Sequence, residues 1–248
     1  MNDYFKEILV DKSENLSYTT GVSTDSKVTP GPVFIVMSGK KQTGKDTSTD
    51  IMVDLLTKQG KRVGVTAFAK ALKDMCINVL GLKPEQVYGT NEQKDSYCKI
   101  DWDNFPADIR LKYSHSVTQK CDVRGVKYTE SVPRCGPMTA REVLQVVGTD
   151  IFRNMIYGNV WAQAPFNQDW TGYDVVIITD CRFPNEKQVT EENRGIIIRL
   201  VRDTGLVDNH TSETALDGVD FKVVYYNNGT IEQLKSFLEA ALKSWKIL

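Results

Sequence analysis

The sequence predicts an α/β fold of three layers, with helices on both sides of a parallel, roughly five-stranded sheet, and three observations carry that expectation. Strand-like runs recur at 33–37, 62–68, 173–179, 195–201 and 221–226. Helical patterns alternate with them in the βαβα order that closes a parallel sheet. The first run, Val33-Phe34-Ile35-Val36-Met37, is apolar at every position, as a strand covered on both faces requires.

Residues 1–31 are rich in Ser, Thr and Asp, end near Thr29-Pro30-Gly31-Pro32, and read as an N-terminal extension outside the core. The domain proper is expected over 32–248. After the first strand, Ile51, Val53, Leu55 and Leu56 sit at near-helical spacing over 46–58, and Gly60 is a stop signal. A second helix is expected over 69–80, ending at Gly81. Between 83 and 138 the alternation fades into mixed charged and aromatic residues, with a small hairpin around Arg124-Gly125, and this stretch reads as a substrate-side insertion.

Helical patterning resumes at Thr139, whose capping box is completed by Glu142, and continues through Leu144, Val147, Ile151 and Ile156. The polar loop 202–213 is a candidate lid. Asn227-Asn228-Gly229 forms a turn, and Thr230 with Gln233 caps a last amphipathic helix through Leu234, Phe237, Leu238, Ala241 and Leu242.

The chain has 248 residues, 31 Lys and Arg against 32 Asp and Glu, and a net charge of -1. No global field is available to hold a nucleic-acid backbone, so no nucleic-acid partner is expected and phosphate chemistry must be local. The apolar runs are much shorter than the ~20 residues of a membrane helix, and no secretion signal is read at the N-terminus. A cytoplasmic location without membrane contact is the expectation. The five cysteines are irregularly spaced and fit reduced thiols; a zinc site from Cys98, His115, Cys121 and Cys135 would lack any close CxxC pair.

Between the first strand and first helix, Gly39-Lys-Lys-Gln-Thr-Gly-Lys45 has the spacing GxxxxGK. Glycines let the backbone curl so that its amides face a phosphate, and the helix N-terminus adds positive potential. Lys45 is the point charge for the terminal phosphates of ATP. Gly39, Lys41, Thr43, Gly44, Lys45, Asp46 and Thr47 are therefore the candidate ATP contacts. Asp46 stands where Ser or Thr usually ligates Mg2+, so Asp46 and Thr47 are candidate metal ligands. The bland alternative is a glycine turn before a helix with a favourable acidic first turn.

The motifs Ser38 to Thr47, Gln145 with Gly148-Thr-Asp150, Asp180-Cys-Arg182-Phe-Pro-Asn-Glu186, His210-Thr-Ser-Glu213 and Asn228-Gly229 appear together and in this order. In them the chain resembles the bacteriophage deoxynucleoside monophosphate kinases of the P-loop kinase superfamily. The resemblance implies a P-loop kinase fold, transfer of the ATP γ-phosphate to a deoxynucleoside monophosphate, Mg2+, a homodimer, and a host cytoplasm. Animal-type phosphomevalonate kinases share the GKD cradle and Asp-x-Arg strand end, and a nucleotide-dependent switch or ATPase is a third reading. The segment 145–153 resembles the nucleotide family more closely, and no guanine-reading Asn-Lys-x-Asp is present.

Transfer between two nucleotides gathers negative charge, so arginines and lysines are sought around the transferred group. Arg182 and Arg202 follow strand C-termini, where open α/β sheets bind ligands, and are candidate catalytic residues; surface ion pairing is the alternative. Asp180, at a strand end, is a candidate metal ligand, or else a helix cap. Lys70, Lys73, Arg141 and Arg153 are candidates for the acceptor phosphate. Gln145, Thr149 and Asp150 can read base edges or sugar hydroxyls, and Trp161 can stack on a base or simply pack in the core. Asn228 is a candidate contact to adenine, although an Asn-Gly turn needs no ligand.

Overall fold

The computed structural model describes residues 31–115, 117–203 and 214–248. The expected extension lies outside them up to residue 30, as does most of the candidate lid, residues 204–213 with His210 and Glu213.

The chain enters through β1 (Val33–Gly39), turns sharply into α1 (Lys45–Lys58), and returns through β2 (Val63–Thr66) to α2 (Lys70–Asn78). The stop at Gly60 is real in conformational terms, since its φ of 75° is left-handed. The insertion carries α3 (Pro84–Tyr88), α4 (Asn91–Lys94), β3 (Tyr97–Asp101), α5 (Ala107–Lys112), a hairpin of β4 (Val117–Cys121) and β5 (Lys127–Ser131), and β6 (Pro137–Thr139). The expected hairpin around Arg124-Gly125 is thus present, with every strand residue exposed.

Thr139 Oγ1 accepts from the Glu142 amide and Glu142 Oε2 from the Thr139 amide, the reciprocal cap expected for α6 (Ala140–Gln145). The helix then widens into a π-helical segment, Val146–Ile156. Following α7 (Val160–Gln163) come β7 (Val175–Cys181), α8 (Pro184–Glu192), β8 (Ile196–Val201), β9 (Val223–Tyr226) and α9 (Ile231–Ser244).

The main sheet has the order β2-β7-β1-β8-β9 with every pairing parallel. Alternating side chains divide its burial: Ile35, Met37, Ile177 and Ile198 join Met52 and Leu56 of α1 and Leu234, Leu238 and Leu242 of α9. Val36, Val176, Ile178 and Ile197 face the other way, against Phe68, Leu216 and Phe166. A separate core gathers Cys76 and Leu82 with Val87, Trp102, Ile109 and Met138 of the insertion and Val143, Val146 and Val147. The insertion is therefore welded to α2 and α6 by apolar burial, while the parallel sheet brings Gly39, Cys181 and Arg199–Leu200 to one edge through the register Ser38↔Cys181, Ser38↔Arg199 and Gly39↔Leu200.

Candidate active site

The loop after β1 is shaped by two glycines. Gly39 has φ 154°, and a Cβ there would meet Thr43 Oγ1 at 2.5 Å and the Leu200 carbonyl at 2.8 Å. Gly44 has φ 98°, with Asn227 Nδ2 2.5 Å from the position a Cβ would take. Gln42 also turns left-handed at φ 61°, so three backbone positions of this loop take positive φ.

Lys45 lies back over this loop: its Nζ donates to the Gly39 and Lys40 carbonyls, each at 2.7 Å. Thr43 Oγ1 donates to the Lys40 carbonyl at 2.8 Å, which closes the turn. Asp46 and Thr47 are exposed in the first turn of α1 and Lys41 is exposed on the loop. Asn227, buried, donates through Nδ2 to the Thr43 carbonyl at 2.9 Å, whereas Asn228 next to it is exposed. A cavity of about 340 Å³ lies beside the loop, lined by Gly44, Thr47, Arg202, Asn227 and Thr230 among others.

At the end of β7, Asp180 Oδ1 accepts the Phe68 amide at 2.7 Å. Burial pushes the Asp180 carboxyl above its ordinary range, against the opposing pull of the Phe68 and Ala69 amides and of Arg182 and Lys73. Lys73 is shifted the opposite way: burial lowers its pKa first, then Lys94, with Arg182 adding to the effect and Asp180 opposing it. The Asp180 carboxylate and the Lys73 and Arg182 cations thus act on one another at this edge. Lys73 Nζ also sits 4.5 Å over the ring of Tyr88. Behind them Glu186, 4% exposed, accepts the Arg182 amide at 2.7 Å and the Phe183 amide at 3.1 Å. Burial raises its pKa to about 7, with the nearby Asp180 charge adding to the rise and the backbone donors and Arg153 opposing it.

The other candidates take varied positions. Lys70 pairs with Asp74 one turn along α2. Arg141 donates from Nε to Asp95 Oδ1 at 2.6 Å and from Nη2 to Asn91 Oδ1 at 3.1 Å. Gln145 is exposed and Thr149 half-buried. Asp150 is buried, paired with Lys112 and accepting the Tyr113 hydroxyl at 2.6 Å. That hydrogen bond and the carboxylate charge, after burial itself, drive the Tyr113 pKa up. Arg153 sits 5.5 Å over the Phe183 ring, close enough to act on Glu186. Trp161 is buried, donates from Nε1 to the Gly148 carbonyl at 2.8 Å, and packs on Phe152 at 4.9 Å. Arg202 is exposed at the end of β8.

Sequence reasoning passed over Arg199, which donates from Nη1 to Ser38 Oγ at 3.0 Å while Ser38 Oγ donates to the Cys181 carbonyl at 3.0 Å. This chain ties β8, β1 and β7 together just below the loop. Its signal was available: a single Arg within the apolar run Ile196–Val201 must find a buried acceptor. Asp217 completes the group, 2.8 Å from Lys40 Nζ and 3.8 Å from Arg199 Nη2.

Among the described residues, no group of three or more His, Cys, Asp or Glu is placed to hold a metal ion, and all five cysteines are free thiols. No helix among the described residues is long and apolar enough to cross a membrane.

Comparison with known proteins bears on this geometry. A putative deoxynucleotide monophosphate kinase of Acanthamoeba polyphaga mimivirus is 28% identical over 221 residues, covering 82% of this chain and 93% of the relative. The deoxynucleotide monophosphate kinases of Escherichia phage RB69 and Enterobacteria phage T4 are each 29% identical over 42% of this chain, spanning 44% and 46% of their own lengths. The sequence model of the deoxynucleotide monophosphate kinases matches residues 108–238, from the insertion through the β7 edge and into α9. That match takes in more than half of the chain, so the chain belongs to the deoxynucleotide monophosphate kinase family.

Proposed function

We propose that this chain transfers the γ-phosphate of ATP to a deoxynucleoside monophosphate, giving the diphosphate and ADP and so supplying DNA precursors. The observation that carries this reading is the convergence on one sheet edge of the curled Gly39–Lys45 loop with the cluster Lys73, Asp180 and Arg182. A nucleotide-holding loop alone would serve a motor or a switch. A second, cationic site one strand away supports an acceptor that itself carries phosphate.

The loop amides and Lys45 hold the donor phosphates, and Lys45 leaves the Gly39 and Lys40 carbonyls to do so. Arg182 and Lys73 orient the acceptor phosphate, while Arg202 closes on the transferred group. An acceptor oxygen forms the new bond to the γ-phosphorus as the bond to the bridging oxygen of ADP breaks. No general base is needed, because a phosphate monoester is largely ionised above its second pKa of about 6. Asp46, Thr47 and Asp180 are the residues that would hold Mg2+, which would supply charge neutralisation on the phosphates. A homodimer in a host cytoplasm is part of this proposal, and the family resemblance supports it.

The test is a panel of natural and modified deoxynucleoside monophosphates with ribonucleotide controls, read for ADP release and for diphosphate product. The expected outcome is transfer to at least one deoxynucleotide; ADP release independent of any acceptor would sink the proposal.

A further inference from the structure

A cavity of about 350 Å³ opens at the end of the sheet opposite the Gly39–Lys45 loop, where the parallel strands β8 and β9 begin. Its size is that of a small-ligand site. Arg194 and Lys222 line it as cations and Phe221 and Trp245 as rings, over the apolar first residues of the two strands. Lys187 lines it too, with its charge answered inside the cavity by Glu191 at 2.8 Å. Among the described residues neither Arg194 nor Lys222 forms an ion pair.

Arg194 comes to the cavity from a costly backbone position. Helix α8 closes with the Arg194 amide donating to the Glu191 carbonyl at 3.0 Å and the Gly195 amide to the Thr190 carbonyl at 2.8 Å. This closure puts the residue after the cap in the left-handed region, where glycine is the ordinary occupant, and Arg194 sits there at φ 58°. An arginine bears a steric cost at that position that glycine would not. What it adds is a guanidinium in the cavity lining.

Phe221 is shared with a second cavity, of about 470 Å³, whose lining includes Lys40 and Thr43 of the loop and Arg199. Lys187 Nζ lies 5.8 Å and Arg199 Cζ 5.3 Å from the centre of the Phe221 ring. Arg199 in turn donates to Ser38 Oγ, directly before the loop. A ligand resting on Phe221 therefore touches a ring that also carries the guanidinium bonded to the root of the loop.

We propose that the cavity at the start of β8 and β9 is a second binding site, taking a nucleoside phosphate whose base rests on Phe221 and Trp245 and whose phosphates meet Arg194 and Lys222, and that its occupancy is felt at the loop through Phe221 and Arg199. A guanidinium and an ammonium without carboxylate partners select a phosphate-bearing ligand, and the ring surfaces select a planar base. The cavity itself stands independently of the catalytic edge, whereas the choice of a nucleotide rests on the kinase reading above: phosphorylation of the diphosphate product gives a deoxynucleoside triphosphate, a ligand of this chemistry.

The experiment titrates the full chain with each deoxynucleoside triphosphate by calorimetry and compares Arg194→Gly, Lys222→Ala and Lys45→Ala. Two binding events per chain are expected, one weakened by Lys45→Ala and the other weakened about tenfold by Arg194→Gly and by Lys222→Ala, the scale of one charge-assisted contact. Glycine suits the left-handed position, so the Tm of Arg194→Gly should be no lower than that of the unaltered chain, and a loss of binding is then not a loss of fold. Inorganic tripolyphosphate, which offers charge without a ring, is expected to bind the cavity more weakly than the nucleotide. At saturating ATP and acceptor, the triphosphate is expected to lower kcat several-fold in the full chain and to leave it unchanged in Arg194→Gly.

A single binding event, or two that Arg194→Gly and Lys222→Ala both leave intact, overturns the site. Tripolyphosphate binding as tight as that of the nucleotide overturns the assignment of a base. An equal effect of the triphosphate on kcat in the full chain and in Arg194→Gly overturns the coupling through Phe221. Arg194-dependent binding in a chain that transfers no phosphate would overturn the kinase reading and leave the cavity standing, and transfer without such binding does the reverse.

Discussion

Asn227 Nδ2 donates to the Thr43 carbonyl at 2.9 Å across a sequence separation of 184 residues, so the turn before the last helix braces the Gly39–Lys45 loop. The Asn227 amide is itself anchored to the Val201 carbonyl at 2.7 Å, which sets the brace against the end of β8. Replacing Asn227 by Ala leaves the Thr43 carbonyl without this donor. The expected result is a loss of about 1–2 kcal/mol in stability, the cost of one unmade buried hydrogen bond, and an ATP KM raised several-fold with the acceptor KM unchanged. Urea unfolding and steady-state kinetics measure both. Asn228→Ala, at an exposed position, serves as the comparison for stability.

Lys45→Ala removes the cation assigned to the terminal phosphates and also two hydrogen bonds to loop carbonyls. The catalytic effect is expected to dominate: a fall in kcat of about 10²-fold or more, as for the loss of a donor aimed at developing charge. The circular dichroism spectrum should be unchanged, because Lys45 contributes to neither apolar core of the sheet. Wild-type kcat in this variant would rule out Lys45 as the phosphate cation.

Two glycines with left-handed φ make opposite predictions. Gly39→Ala must push a methyl into Thr43 Oγ1 and the backbone oxygen of Leu200, neither of which can yield without reshaping the loop. ATP binding should be lost, measurable by titration with a fluorescent ATP analogue. Gly125→Ala, at φ 82° in the exposed hairpin turn, meets nothing within 4 Å and incurs only the backbone penalty of about 1 kcal/mol. Its ATP affinity and kcat should equal those of the unaltered chain.

What the sequence could disclose follows the range of the forces involved. The central strands β1, β7 and β8 were legible because they are largely covered on both faces, and the capping boxes at Thr139 and Thr230 were legible because both partners lie within four residues. The GxxxxGK spacing of Gly39 to Lys45 is likewise a local object. The acceptor side is not: Arg141 reads the same whether it meets a phosphate or Asp95, and its partner lies 46 residues away. Asp150 offers a base-reading carboxylate in sequence, yet Lys112 and Tyr113 fold back across the insertion to occupy it. Trp161 has its indole donor committed to the carbonyl of Gly148, which lies in the π-helical segment.

Glu186 gives the stability of the fold a pH dependence of known sign. Its pKa rises from an ordinary 4.5 to about 7 in the folded chain, chiefly through burial. Between those values the folded state binds more protons than the unfolded one, so stability falls as pH rises through this window and levels off above the folded pKa. The Asp180 carboxyl is shifted in the same direction, so its contribution has the same sign. For Glu186 alone the shift corresponds to about 3 kcal/mol between pH 4.5 and pH 8. Glu186→Gln keeps an oxygen for the Arg182 and Phe183 amides while removing the buried charge. The variant should therefore lose much of the fall and become the more stable protein at pH 8, as measured by Tm from pH 5 to pH 9. A wild-type Tm that rises across this range, in parallel with that of Glu186→Gln, would show that Glu186 is ionised at no cost and that the amides of Arg182 and Phe183 outweigh its burial.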